Sequence, residues 1–158
     1  PGEVRNRYAI GPRDPMVLFS GRLSLQKGPD LLLEAVPGLL RFHPNAKFVF
    51  AGDGHMRGDL QGRAHHLGVA HATRFIGYCN GRGLIDLYKA CDTVCLPSRN
   101  EPFGITALEA WAAGKPVIAS QNGGPSEFVW HNVAPRSGRA YQQRGRARIM
   151  RLSEASSK

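Results

Sequence analysis

The sequence predicts an α/β domain, doubly wound around a parallel sheet, and three observations carry that prediction. Five short apolar runs, Met16-Val-Leu-Phe-Ser, Lys47-Phe-Val-Phe-Ala, Thr73-Arg-Phe-Ile-Gly, Thr93-Val-Cys-Leu-Pro and Pro116-Val-Ile-Ala-Ser, alternate with helix-like stretches. They start 31, 26, 20 and 23 residues apart, room in each case for a strand, a crossover helix and the next parallel strand. Their hydrophobicity is continuous rather than alternating, the pattern of strands covered on both faces. Right-handed crossovers between such runs predict that the first strand lies centrally, with the second and third to one side and the fourth and fifth to the other.

Each connection carries its own signal. Pro29 and Asp30 suit the first turn of a helix, and Leu32, Leu33, Val36, Leu39 and Leu40 fall on or near one face. Pro37-Gly38 interrupts that pattern and predicts a kink or break. His65 and His66 lie in a polar helix and are expected to face solvent. Gly104 through Ala113 reads as a helix closed by Gly114, with Pro116 beyond. Trp111 on that helix is expected in the core or an interface. Gly123-Gly-Pro-Ser-Glu127 is expected to open another short helix.

Composition excludes several classes. The chain has 158 residues, 42% hydrophobic and 21% charged, which suits one globular domain and not a disordered polymer. No apolar run approaches the roughly 18 residues of a membrane-spanning helix, and no secretory signal is visible. Cys79, Cys91 and Cys95 lack the paired spacing of a metal site, so they are expected as free, reduced thiols in a cytoplasmic protein. The net charge is +9, but from Pro135 onward seven Lys/Arg face one acid, Glu154, so that tail supplies +6 and the rest only +3. The basic character thus belongs to a terminal segment, expected to be a solvated end.

Two motifs carry chemistry. Ser20-Gly-Arg-Leu-Ser-Leu-Gln-Lys-Gly28 follows the first strand, at the edge where open α/β sheets bind ligands. Arg22 offers a planar fork for phosphate oxygens and Lys27 a mobile point charge, a pair suited to a diphosphate. Glu101-Pro-Phe-Gly-Ile-Thr-Ala-Leu-Glu109 straddles the turn from the fourth strand into a helix. Helical rise carries Glu109 about 7 Å along the axis from the helix mouth. The two carboxylates can then accept from hydroxyls while the amides of Gly104, Ile105 and Thr106 meet an anion between them. Hydroxyl, phosphate, hydroxyl is the order of a sugar, a diphosphate and a ribose. By contrast, Gly52-Asp-Gly-His-Met-Arg-Gly58 matches a dinucleotide fingerprint poorly, since it follows the second strand and no acid lies near His71-Ala-Thr-Arg-Phe.

Taken together, GRLSLQKGPDLLLEA, FAGDGHMRGDL, RFIGYC, DTVCLPSRNEPFGITALEAWAAGKPVIAS and NGGPSEFV resemble successive blocks of glycosyltransferase family four (glycosyl transferases group 1), from about Val4 to His131. The resemblance is to the C-terminal, Rossmann-like donor-binding half of retaining enzymes with the two-domain GT-B fold. It implies a hexosyltransferase-type enzyme in which Arg22, Lys27 and Glu101 are the catalytic residues. Arg22 and Lys27 would grip the donor diphosphate, Glu101 the donor sugar and Glu109 the ribose. Phe103, Gly104, Ile105 and Thr106 would approach sugar and phosphates, and Tyr78 with Cys79 would flank the base. Arg22, Lys27 and the helix mouth would stabilise charge on the leaving nucleoside diphosphate. No cofactor or metal is expected, and the sequence contains no Asp-x-Asp pair.

The expected partners are a nucleotide-sugar donor, an acceptor that is a sugar, lipid or small molecule, and an N-terminal acceptor domain outside this chain. A lipid acceptor would bring the protein peripherally to the inner membrane face; no specific nucleic acid is expected. Residues 1–15 read as a linker remnant, residues 16–132 as an incomplete donor-binding domain and residues 133–158 as the basic tail, because Val133-Ala-Pro-Arg-Ser-Gly replaces the family's sixth strand. The chain is thus read as a fragment. Two alternatives stay open: a non-catalytic nucleotide-sugar-binding fragment, and a nucleic-acid-associated protein acting through the tail, which offers charge but no aromatic platform.

Overall fold

The computed structural model describes residues 1–101 and 104–120 of the chain. Helix α1 (Gly2–Arg7) precedes β1 (Met16–Ser20), α2 (Pro29–Phe42), β2 (Lys47–Ala51), α3 (Arg57–His66), β3 (Thr73–Gly77), α4 (Gly81–Ala90), β4 (Thr93–Leu96), α5 (Ile105–Ala112) and β5 (Val117–Ala119). All the strand pairings are parallel, in the order β3-β2-β1-β4-β5. The five apolar runs are the five strands, in the order that right-handed crossovers require.

Continuous hydrophobicity has the physical cause inferred for it, because alternate strand residues feed two separate cores. Met16, Leu18, Val49, Ala51, Val94, Leu96, Val117 and Ala119 pack with Leu87, Tyr88 and Ala90 of α4 and Ala107 and Ala110 of α5. Phe19, Phe48, Phe50 and Cys95 point the other way, onto Leu32, Leu33 and Val36 of α2 and Leu60 and Ala64 of α3. Phe50 stacks on Phe75 with ring centroids 4.7 Å apart. Cys91 and Cys95 are buried free thiols, and desolvation pushes them up to about 11 and about 12. Cys79 is half-buried, His65 and His66 are exposed as expected, and Trp111 packs partly buried against the α4/α5 core.

One expectation is overturned: α2 runs unbroken through Pro37. A proline in a helix interior costs about 3 kcal/mol. However, Leu32, Leu33 and Val36 are essentially fully buried, and each contributes roughly 1.5–3 kcal/mol on leaving water. Tertiary burial outweighs the local defect. Residues 1–15, expected as a linker remnant, carry α1, which packs against α4. Arg5 donates to the carbonyls of Ala90 (2.8 and 3.0 Å), Gly11 (3.1 Å) and Asp14 (2.8 Å) and pairs with Asp92 at 2.9 Å. Arg74 donates to Tyr8 O at 2.7 Å. The expected helix at Gly123-Gly-Pro-Ser-Glu127, the domain limit at residue 132 and the basic tail lie outside the described residues.

Two glycines are required by backbone contact. Gly28 has φ 68°, and a Cβ there would stand 2.2 Å from Pro97 O; Gly52 has φ 151°, and its Cβ would stand 1.8 Å from Gly21 O. Gly38 in α2 faces open space. Gly28→Ala and Gly52→Ala should therefore each lose at least about 2 kcal/mol in urea denaturation, whereas Gly38→Ala should gain about 0.5–1 kcal/mol. Equal effects at all three positions would contradict the backbone contacts.

Candidate functional site

The carboxyl ends of β1 and β4 are neighbours, and the loops that leave them meet. The loop after β1 is held on one flank by the segment after β2. Gly21 N–H donates to Ala51 O (3.0 Å) and Leu23 N–H to Asp53 O (2.9 Å). Leu23 is fully buried in the α2/α3 core, which leaves the preceding side chain, Arg22, at the surface. Arg22 forms no ion pair with any described residue. The Gly52–Gly58 segment thus has a structural role, since Gly52 allows close backbone approach to the β1 loop and α3 begins only at Arg57.

The other flank is held by the segment after β4. Arg99 N–H donates to Gln26 O (2.8 Å), and its guanidinium donates to Leu25 O (2.7 Å) and forks onto both oxygens of Asp30 (2.9 and 2.6 Å). Gln26 Nε2 returns a bond to Asn100 O at 3.2 Å. The hydrogen bond and charge of Arg99 hold the Asp30 carboxyl below its ordinary value, against the opposing effect of its burial. This clasp sets Lys27 beside Glu101, Nζ to Oε2 at 2.7 Å, with side chains 29% and 12% exposed.

Glu101 is engaged at both oxygens. Oε2 accepts from Lys27 and from the buried Ser98 hydroxyl (3.2 Å), and Oε1 accepts from Gly104 N–H (3.3 Å). Burial pushes the carboxyl up, but the Lys27 hydrogen bond and charge, the Gly104 amide and Ser98 together outweigh it, and the net shift is downward. Glu101 is therefore ionised at neutral pH. Ser98 is itself held by Ser120, whose hydroxyl donates to Ser98 O.

Gly104 caps the start of α5, and one expectation is corrected there. Its amide, expected to face an anion, is turned onto the Glu101 carboxylate, because that charged acceptor sits three residues back in the same turn. Ile105 and Thr106 follow as the first helical residues, whose amides have no acceptor within the helix. Glu109 is exposed one turn further on, and its Oε2 accepts from Tyr88 Oη at 2.8 Å. Tyr78 follows β3 at the same carboxyl edge, two strands from β1, and is 75% exposed. Phe103 lies outside the described residues.

The structure thus brings Lys27 and Gly104 each into contact with Glu101, sets Arg22 on the same loop as Lys27, and sets Glu109 along the helix that Gly104 opens. Ser98, Arg99 and Tyr88 were not found from the sequence. Tyr88 shares the buried face of α4 with Leu87, and a polar tip on an apolar face was the available signal. Among the described residues, no group of three or more His, Cys, Asp or Glu could hold a metal ion, and no helix is long and apolar enough to cross a membrane.

Comparison with known proteins places this architecture. Residues 2–150 match the family model described as glycosyl transferases group 1. An uncharacterized glycosyltransferase of Methanocaldococcus jannaschii is 48% identical over 133 residues, covering 83% of this chain and 34% of that protein. Glycogen synthase of Mycobacterium tuberculosis is 40% identical over 123 residues, 78% of this chain and 29% of its own length. The chain thus spans about a third of the curated relatives it matches. Anabaena HepE, solved in complex with UDP and glucose, aligns over 83% of this chain and 36% of its own, with a TM-score of 0.73 and 28% identity. The parallel sheet flanked by helices is the Rossmann-like C-terminal half of a GT-B fold, and the chain belongs to the glycosyl transferases group 1 family.

Proposed function

We propose that this chain binds the nucleoside-diphosphate-sugar donor of a retaining glycosyl transfer, with the acceptor held by the remainder of a longer protein. The observation that carries the reading is the contact of Lys27 with Glu101 at the β1/β4 edge, 2.7 Å long and backed by Ser98 and Gly104. An ammonium has three donors, so the one committed to Glu101 leaves two for phosphate oxygens. A carboxylate offers about four acceptor sites, and Glu101 uses three. One remains for a hydroxyl of the donor sugar. The structural relative HepE has also been solved with UDP-glucose, a donor of this class.

Arg22 and Lys27 then meet the negative charge that grows on the leaving diphosphate as the anomeric bond breaks, and the amides at the start of α5 add to that field. In this reading the cations and helix dipole supply the stabilisation without a metal, so binding of uridine diphosphate should be insensitive to a chelator. Glu109 accepts from the ribose, and Tyr78 flanks the base. The place of the protein is cytoplasmic, peripheral to the inner membrane face where the acceptor is a lipid.

Binding is the direct test. Calorimetry should detect uridine diphosphate and much weaker binding of uridine. Lys27→Ala should weaken the diphosphate by roughly ten- to hundredfold, the value of a hydrogen bond to a charged group, and should flatten the dependence on salt. Failure of any nucleoside diphosphate to bind, or unchanged affinity after loss of both Arg22 and Lys27, would refute the reading.

The same ion pair has a pH signature. Glu101 is held below its ordinary value in the folded chain, so its contribution to stability is complete above the unfolded carboxyl value of about 4.3. That contribution is lost as pH falls through the lower folded value. Glu101→Gln should therefore be less stable than the parent near pH 7, and the gap should narrow on acidification to about pH 3, as followed by urea denaturation. A gap independent of pH would contradict an ionised, paired Glu101.

A further inference from the structure

We propose that Tyr88 is a positioning residue for Glu109: its phenol holds one carboxylate oxygen so that the other is presented to the ribose hydroxyls of a nucleoside diphosphate. The inference rests on the donor-site reading above and deepens it. Tyr88 stands on α4 and is 3% exposed, yet its hydroxyl reaches Glu109 Oε2 at 2.8 Å. The exposed end of this contact belongs to the ligand-binding candidate and the buried end to the core. Glu109 lies on the solvent face of α5, where an unrestrained glutamate samples several rotamers and loses that freedom on being fixed. A donor anchored in the α4/α5 core removes much of that cost before the ligand arrives.

Ala107 and Ala110 of α5 pack in the same core as Tyr88, so the phenol is held against the helix that carries Glu109. A carboxylate acceptor makes the bond charge-assisted, and the bond orients that carboxylate. Burial, with the Glu109 charge adding to it, raises the phenol well above its ordinary value, so the proton stays in place and the group remains a donor throughout the neutral range.

The test compares uridine diphosphate with its 2′,3′-dideoxy counterpart on the full chain, by calorimetry. The parent should favour the ribonucleotide, and Glu109→Ala should abolish that preference. Tyr88→Phe, which removes one oxygen from a packed ring, should cut the preference roughly three- to tenfold while leaving affinity for the dideoxy compound unchanged. In the Glu109→Ala background it should have no further effect. Glu109→Asp gives an independent route should the Tyr88 variant unfold: it keeps the charge at an exposed position, draws it back from the phenol, and should lose the preference likewise. A Tyr88→Phe or Glu109→Asp chain that keeps the full preference overturns the inference alone. So does a Tyr88 variant that weakens both nucleotides equally, the result of a purely structural role. Absence of diphosphate binding by the parent, or a ribose preference that survives Glu109→Ala, overturns the donor-site reading and the inference with it.

Discussion

At Gly28 the backbone passes so close to the Pro97 carbonyl that a single added carbon would stand 2.2 Å from its oxygen. That contact brings the end of β4 against the start of α2, and the rest of the site depends on it. With the gap closed, Arg99 can reach Leu25 and Asp30 from one side while Gln26 reaches Asn100 from the other. Lys27 is the residue next to Gly28, so its ammonium is delivered to Glu101 by the geometry of the loop rather than by search of a flexible chain. The parallel contact at Gly52 fixes the other flank. Two residues without side chains thus determine where the charged side chains sit.

Electrostatics then sharpen what packing begins. A half-buried ion pair of this kind gives little net stability, because desolvation offsets much of the attraction. Its value here is order: Glu101 is ionised, both of its oxygens are directed, and Lys27 is held in place beside it. Preorganisation of this sort means that a ligand meets groups already turned toward it and avoids the reorganisation that solvent would require.

The fold was legible in the sequence to the level of strand order, because a sheet covered on both faces writes itself as unbroken apolar runs at crossover spacing. The carboxyl edge was legible too, since glycines and charges collect there. What escaped were features decided by long-range packing. Local chemistry argues for a break at Pro37, and only the burial of Leu32, Leu33 and Val36 against β1 and β2 shows why none occurs. Arg99 carries no local mark of its pairing with Asp30, 69 residues away, and Tyr88 reads simply as one more apolar position of α4. The turn of Gly104 onto Glu101 likewise depends on a rotamer that spacing does not specify.

Sequence separation gives the site a temporal character as well. Lys27 and Glu101 are 74 residues apart, and they meet because β1, the first strand, pairs with β4 on the side away from β2 and β3. Closing so long a loop is entropically costly and slow compared with forming the β1-α2-β2 unit. A nascent or partly folded chain holding only the β1–β3 half would possess an apolar core around Phe19, Phe48 and Phe50 but neither carboxylate. The contact between Lys27 and Glu101 therefore cannot precede the β1–β4 pairing that joins the two halves of the sheet.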